Sequence, residues 1–152
     1  MSKLTILQYN CGNANHQKVW PWFNATSQLT HQVLAIQEPG YNKLSQSTYC
    51  PKGFTLLYKA LPTTRVCFMV SKEVNAAYWS HKQHGPYVAV LQLLLCETTV
   101  SIINVYNPRG SGPRINAWTA LETALGEAVG EVILLGDFNA HHPAWGSMQA
   151  TS

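Results

Sequence analysis

Near the C-terminal end, Val132-Ile133-Leu134-Leu135-Gly136-Asp137-Phe138-Asn139 runs four apolar residues into a glycine, and a carboxylate and a carboxamide follow two positions apart. A short apolar, partly β-branched run ended by Gly predicts a buried strand. A carboxylate where such a strand stops lies at the rim of a sheet rather than in its core. Residues two apart on a strand share a side. Asp137 and Asn139 are thus expected to face one pocket, a proton-transfer group beside a neutral hydrogen-bond donor. That pairing suits chemistry on a phosphate ester. Alone, it fits an Asx turn after a strand equally well.

The pattern recurs at three other predicted strand ends. Leu4–Tyr9 ends in Asn10, Val33–Gln37 in Glu38, and Ser101–Val105 in Tyr106-Asn107. If these ends lie along one edge, Glu38 and Asp137 meet carboxamides and a phenol in one cleft, and ligands of α/β sheets do bind beyond the carboxyl ends of strands. Such oxygen donors suit a hard divalent cation; Mg²⁺ often takes one or two carboxylates and completes its shell with water and substrate phosphate. Each residue also has a plainer role: Asn10 starting a turn, Glu38 solvated before Pro39, Tyr106 a core aromatic with its hydroxyl at the edge.

The elements that must position these groups alternate strand and helix at both ends of the chain. Leu4–Asn10 reads as a strand, and His16–Leu29 as a helix capped by Asn15, weakened by Pro21. Val33–Gln37 is a second strand and Tyr41–Gly53 a loop. Phe54–Lys59 and Arg65–Val70 are strands, and Tyr87–Cys96 with Thr99–Tyr106 forms a hairpin turning at Glu97-Thr98. After the Gly/Pro-rich loop Asn107–Pro113, Ile115–Val129 is an amphipathic helix with Ile115, Trp118, Leu121, Leu125 and Val129 at helical spacing. Val132–Leu135 is the last strand. An α/β layered domain follows, rather than a bundle or a pure sandwich.

The 152 residues suffice for one domain with one core. With 46% hydrophobic and 11% charged residues, the composition excludes a disordered chain. A net charge of +3 is compatible with a polyanionic partner but does not require one. Cys11, Cys50, Cys67 and Cys96 have no CxxC spacing, and buried free thiols in a reducing compartment are expected. Leu4-Thr5-Ile6-Leu7 is too short for a signal peptide, and no apolar run reaches the ~20 residues of a membrane helix. A soluble intracellular protein is the default expectation.

Leu7-Gln8-Tyr9-Asn10, Ala35-Ile36-Gln37-Glu38-Pro39, Asn104-Val105-Tyr106-Asn107-Pro108 and the run from Leu134 through Asp137-Phe138-Asn139-Ala140-His141-His142-Pro143 to Gly146 occur in order across nearly the whole chain. Thr48-Tyr49-Cys50-Pro51 and Arg65 to Lys72 accompany them. Together they resemble the endonuclease/exonuclease/phosphatase superfamily, most of all the apurinic-type endonuclease domain of non-LTR (LINE-like) retrotransposons. The resemblance implies an α/β fold over residues 1–152: a two-layer β-sandwich flanked by helices, four layers αββα, C-terminally incomplete. It implies metal-dependent hydrolysis of a phosphodiester, a DNA-nicking activity using one Mg²⁺ or Mn²⁺. Glu38 would be the main metal ligand with Asn10 beside it. Tyr106 would approach the scissile phosphate, Asp137 would orient or deprotonate the attacking water or handle the leaving group, and Asn139 would donate to phosphoryl oxygens as charge builds. Asn107, Arg109 and His141 would lie at the substrate; Arg109 and Arg114 fit solvated loop charges equally well. Adjacent His141 and His142 lack a third ligand for zinc. The implied partner is DNA through its phosphate backbone, with no membrane, and the implied location is nuclear.

The superfamily domain continues into a terminal Ser-Asp-His motif, whereas Asp137 is the sole aspartate of this sequence. The resemblance therefore implies a truncated and inactive retroelement copy, or a chain whose missing C-terminal half or reverse-transcriptase region is supplied separately. The last strand is then expected to present an open, apolar edge. Two other readings stay open: a non-catalytic relic that holds nucleic acid weakly through phosphates, and a phosphatase or lipid phosphodiesterase of the same superfamily.

Overall fold

A computed structural model describes residues 3–13, 31–109 and 117–140. Two four-stranded mixed sheets pack face to face. The first holds β1 (Ile6–Asn10), β2 (Val33–Gln37), β3 (Phe54–Leu57) and β4 (Val66–Ser71) in the order β1-β2-β4-β3. The second holds β5 (Trp79–His84), β6 (Val88–Leu95), β7 (Thr98–Tyr106) and β8 (Glu131–Asp137) in sequence order. Helix α1 (Trp118–Glu127) covers the outer face of the second sheet, and a 3₁₀ turn, Ala76–Tyr78, leads into β5. The expected helix His16–Leu29 lies outside the described residues.

The unbroken apolar runs become the central strands because both of their faces are covered. Val33 and Ala35 of β2 and Val66, Phe68 and Val70 of β4 point between the sheets, against Ala89, Leu91, Leu93, Val100 and Ile102. Leu34, Ile36, Cys67 and Met69, on the alternate positions, are buried on the outer side with Tyr49 and Cys50 of the long loop. Each fully buried Leu, Ile or Phe here contributes about 1.5–3 kcal/mol relative to exposure. Two parallel pairs matter for the site: β1 with β2 (Asn10 beside Gln37) and β7 with β8 (Tyr106 beside Asp137). Both pairs end at the same rim.

Several sequence expectations change. The hairpin turns at Cys96-Glu97, since Leu95 pairs with Thr98, and Cys96 takes a φ of 52° there. β5 was not foreseen; its sequence, WSHKQH, is too polar to read as a strand, and among the described residues it is an outer strand paired to β6 alone. Helix α1 buries Leu121 and Ala124, with Ala117 before it, while Trp118, Leu125 and Val129 are exposed. Small residues on the sheet side let the helix approach closely, so the bulky stripe faces outward. Ile115 lies outside the described residues. β8 is longer than expected and is not a buried strand: Val132, Ile133 and Leu134 are 44%, 37% and 43% exposed. It ends the sheet order, and among the described residues no strand pairs with its far side. No described helix is long and apolar enough to cross a membrane.

The cysteines are all free. Cys11 and Cys67 are buried, Cys50 is half-buried, and Cys96 is exposed at the hairpin, against the expectation that it is buried. Burial pushes the Cys11 thiol up to about 12, with the Glu38 charge adding to it, and the Cys50 thiol up to about 11. Because the thiolate is the reactive form, Cys96 should react with an aromatic disulfide reagent in the fast phase. Cys50 should follow slowly, and Cys11 and Cys67 only on unfolding. Equal fast reaction of all four thiols would contradict this burial pattern.

Candidate active site at the sheet rim

Between the sheets the inner faces of β1, β2, β7 and β8 change character in step toward the rim. Ile6, Ala35, Ile102 and Leu135 belong to the apolar core. One position further along the inner face stand amides: Gln8, Gln37 and Asn104, the last two fully buried. Beyond them come Asn10, Tyr106 and Asp137, with Glu38 directly after Gln37. The period-2 alternation of strands stacks these as layers of oil, amide and functional group.

The amide layer ties the two sheets together. Gln37 Nε2 donates to Asn104 Oδ1 at 2.6 Å, and Asn104 Nδ2 donates to Ile36 O and Cys67 O, both at 3.0 Å. Gln8 Nε2 reaches Gly136 O at 3.0 Å and Gln37 Oε1 at 3.4 Å. Buried amides leave little tolerance when their partners are so fully specified. This layer therefore sets the spacing of the strand ends above it.

Above that layer, Asn10 Nδ2 donates to Asp137 Oδ2 at 2.7 Å and lies 3.5 Å from Glu38 Oε1. Asn10 Oδ1 accepts from the Gly12 N–H at 2.7 Å. Asn13 Nδ2 donates to Glu38 Oε2 at 2.8 Å. Glu38 has a φ of 46°, a left-handed conformation that costs a non-glycine residue about 1–2 kcal/mol. Its backbone is held there: its N–H donates to Arg65 O at 2.7 Å, and its carbonyl accepts from the Asn13 N–H at 3.0 Å. Strain of this kind clusters at functional sites.

Asp137 Oδ1 accepts from the Asn139 N–H at 3.0 Å, the Asx turn anticipated from sequence. Asn139, at φ 46°, donates from Nδ2 to Asn107 O at 2.6 Å and accepts from Arg109 Nε at 2.8 Å. The Tyr106 phenol is pushed up from its ordinary pKa by burial first, and then by the Glu38 carboxylate and the Asp137 charge; Arg65 pulls the other way. It is a neutral O–H donor at physiological pH.

Asn10, Glu38, Tyr106, Arg109, Asp137 and Asn139 thus line one cleft of about 560 Å³. Asn107 stands behind it. Its Nδ2 donates to Phe138 O at 3.1 Å, and its Oδ1 accepts from the Ala117 N–H at 3.3 Å before α1. It ties two segments together and does not line the cleft. His141 and Arg114 lie outside the described residues. Arg65, Tyr87, Gly12 and Pro108 complete the lining and were not singled out from sequence. Arg65 and Tyr87 precede strands β4 and β6, which run antiparallel to β2 and β7. The start of an antiparallel neighbour reaches the same rim as the end of its partner. That signal exists only once pairing is known. A second cleft of about 430 Å³, between β5 and α1, carries the exposed Lys82–Glu127 ion pair at 2.5 Å and no comparable set of strand ends.

Residues 100–152 match the family described as endonuclease-reverse transcriptase. No curated protein matches the chain in sequence. Among solved structures, the chain is similar to the endonuclease domain of TRAS1, a telomere-specific non-LTR retrotransposon, at 14% identity and a TM-score of 0.66. That match covers 99% of this chain and 65% of the other, so the chain spans just under two thirds of that domain. TDP2 from D. rerio, complexed with a single-strand DNA product, matches at 14% identity and TM-score 0.65, covering 99% and 67%. TDP2 from Caenorhabditis elegans matches at 12% identity and TM-score 0.54, covering 91% and 48%. The chain shares the fold of these solved structures, and over its last third it matches an endonuclease family.

Proposed function

We propose that the rim cleft is a metal-dependent phosphodiesterase site that nicks DNA, of the non-LTR retroelement endonuclease type. The observation that carries this reading is the 2.7 Å bond from Asn10 to Asp137, which joins strand ends of different sheets in a cleft also lined by Glu38 and Tyr106. The donor set fits a divalent cation. Glu38, Asp137 and Asn10 Oδ1 are hard oxygen donors, and one or two carboxylates completed by water suit Mg²⁺ or Mn²⁺. Among the described residues no group of three or more His, Cys, Asp or Glu side chains that could hold a metal ion occurs, so water and substrate phosphate would complete the shell. Glu38 and Asn10 would hold the ion, with Asp137 beside it. When bound, the cation would neutralise charge on the phosphate.

The chain's own groups divide the remaining work. Asp137, oriented by Asn10 and by the Asn139 N–H, takes a proton from water as the new P–O bond forms. The departing sugar oxygen takes its proton from solvent. Tyr106, kept protonated, donates to a phosphoryl oxygen. DNA as substrate is supported by the family match and by the DNA complex of the TDP2 relative.

A second reading is nucleic-acid holding without cleavage, with which the net charge of +3 is compatible. Nicking of supercoiled plasmid in Mg²⁺ separates the two. Under the first reading wild type nicks, and Glu38→Ala and Asp137→Ala each lose about 10²-fold or more. Nicking that survives both substitutions overturns it, and binding without any nicking establishes the second. Mg²⁺ titration followed by NMR should perturb Asn10, Glu38 and Asp137 together in the millimolar range. Shifts confined to Glu97, Glu122, Glu127 and Glu131 would sink the metal site.

A further inference from the structure

We propose that Arg65 is a phosphate-binding residue of this cleft, its guanidinium taking a phosphodiester next to the one at Glu38 and Asp137, while Tyr87 and Tyr106 form the wall along which that strand lies. The inference rests on the reading of the cleft as a phosphodiesterase site and adds to it the residue that grips the substrate outside the reacting bond.

The cleft poses an electrostatic problem. It holds two carboxylates, Glu38 and Asp137, and its substrate is an anion, so a strand approaching the rim needs fixed positive charge. Arginine supplies it well, because its planar fork of N–H donors matches phosphate oxygens and stays charged. Two arginines line the cleft. Arg109 is already engaged, its Nε bonded to Asn139 Oδ1 at 2.8 Å. Arg65 is differently placed. The ion pairs among the described residues are Lys82–Glu127 and His84–Glu127, so Arg65 has no carboxylate within ion-pair distance although it shares a cleft with two. One terminal nitrogen donates to Pro62 O at 2.8 Å. A guanidinium has five N–H donors, and that one bond leaves most of the fork for a ligand.

Its backbone is fixed on both sides. The Arg65 N–H donates to Pro86 O at 2.7 Å, in the turn between β5 and β6, and its carbonyl accepts from the Glu38 N–H at 2.7 Å. Arg65 is therefore locked to the metal-ligand candidate on one sheet and to the approach to Tyr87 on the other. Tyr87 continues the same ladder, its carbonyl accepting from the Tyr106 N–H at 2.9 Å, with the two rings 6.4 Å apart and tilted by 45°. A charged fork beside two aromatic rings is the combination that follows a single-stranded backbone while its bases or sugars rest on ring faces. A purely structural role for Arg65, closing the 61–64 turn through Pro62 O, would need the turn contact alone.

The test is fluorescence-anisotropy binding of a labelled single-stranded DNA oligonucleotide across a series of salt concentrations. Each phosphate contact contributes about 0.7 to the log–log salt slope for single strands. Arg65→Gln should lower that slope by about 0.7 and weaken binding at low salt. Arg65→Lys, which keeps the charge and loses the fork, should keep the slope and recover only part of the affinity. An Arg65→Gln slope equal to wild type overturns the proposal while leaving the phosphodiesterase reading intact. Wild type that does not bind, or binds without salt dependence, overturns both. Should Arg65→Gln not fold, the Arg65 Nε–H resonance of wild type decides: it should move on titration with the same oligonucleotide, and a resonance unmoved at saturation overturns the proposal.

Discussion

Gly136→Ala should cost the protein about 4 kcal/mol or more, a loss large enough to leave little of a folded population in a domain of ordinary stability. Gly136 sits inside the parallel ladder opposite Val105, with a φ of 145°. A Cβ there would lie 1.9 Å from Val105 O, 2.7 Å from Val105 C and 2.8 Å from Val105 N. All three are backbone atoms of a central strand, so no side chain can swing away to make room. Either β8 separates from β7 or the ladder shifts, and both outcomes move Asp137, the next residue. The Gln8 bond to Gly136 O is lost with them. In a chain of this size each kcal/mol lowers the melting temperature by roughly 2–4 °C, so thermal denaturation followed by circular dichroism should show a drop of about 8 °C or more, or no cooperative transition. Gly126→Ala is the control. Gly126 is in α1 with nothing within 4 Å of the added methyl, and that change should stabilise by about 0.5–1 kcal/mol. Equal melting of Gly136→Ala and wild type would mean that β8 does not pair as described.

The second large effect is expected one layer beneath the cleft. Asn104→Leu keeps the volume of the side chain but removes the amide that bridges Gln37 Nε2, Ile36 O and Cys67 O. Gln37 Nε2 is left with a single long contact, 3.4 Å to Ala35 O. A buried donor without a partner costs about 1–3 kcal/mol and each lost bond about 1 kcal/mol more, so a destabilisation of about 3 kcal/mol or more is expected in urea unfolding. Gln37→Leu should be comparably harmful. The double substitution should cost less than the two singles added together, because it removes both halves of a polar contact and orphans neither. Strict additivity would show that Gln37 and Asn104 do not act as a pair.

Elements whose pattern is local, and the kinds of residue that end them, were legible from residue order. Val33–Gln37 was legible to the residue, because an apolar run buried on both faces needs no knowledge of its neighbours. Asn10, Glu38, Tyr106 and Asp137 stood out because each is a polar group placed directly after such a run, and the Asp137–Asn139 turn is a local bond. Whatever depends on strand pairing emerged with the folded arrangement. It brought Asn10 and Asp137, 127 positions apart, to 2.7 Å. It left Val132, Ile133 and Leu134 exposed in an end strand although the run reads as buried, since exposure depends on what lies beside a strand and not on its composition. It made a strand of WSHKQH, whose polar residues hide its pairing with β6. It also turned Asn107 away from the cleft to join Phe138 and Ala117, and carried Arg65 and Tyr87 into it. Those two precede strands, where sequence pattern marks no rim; they reach the site because antiparallel pairing lays the start of one strand beside the end of another.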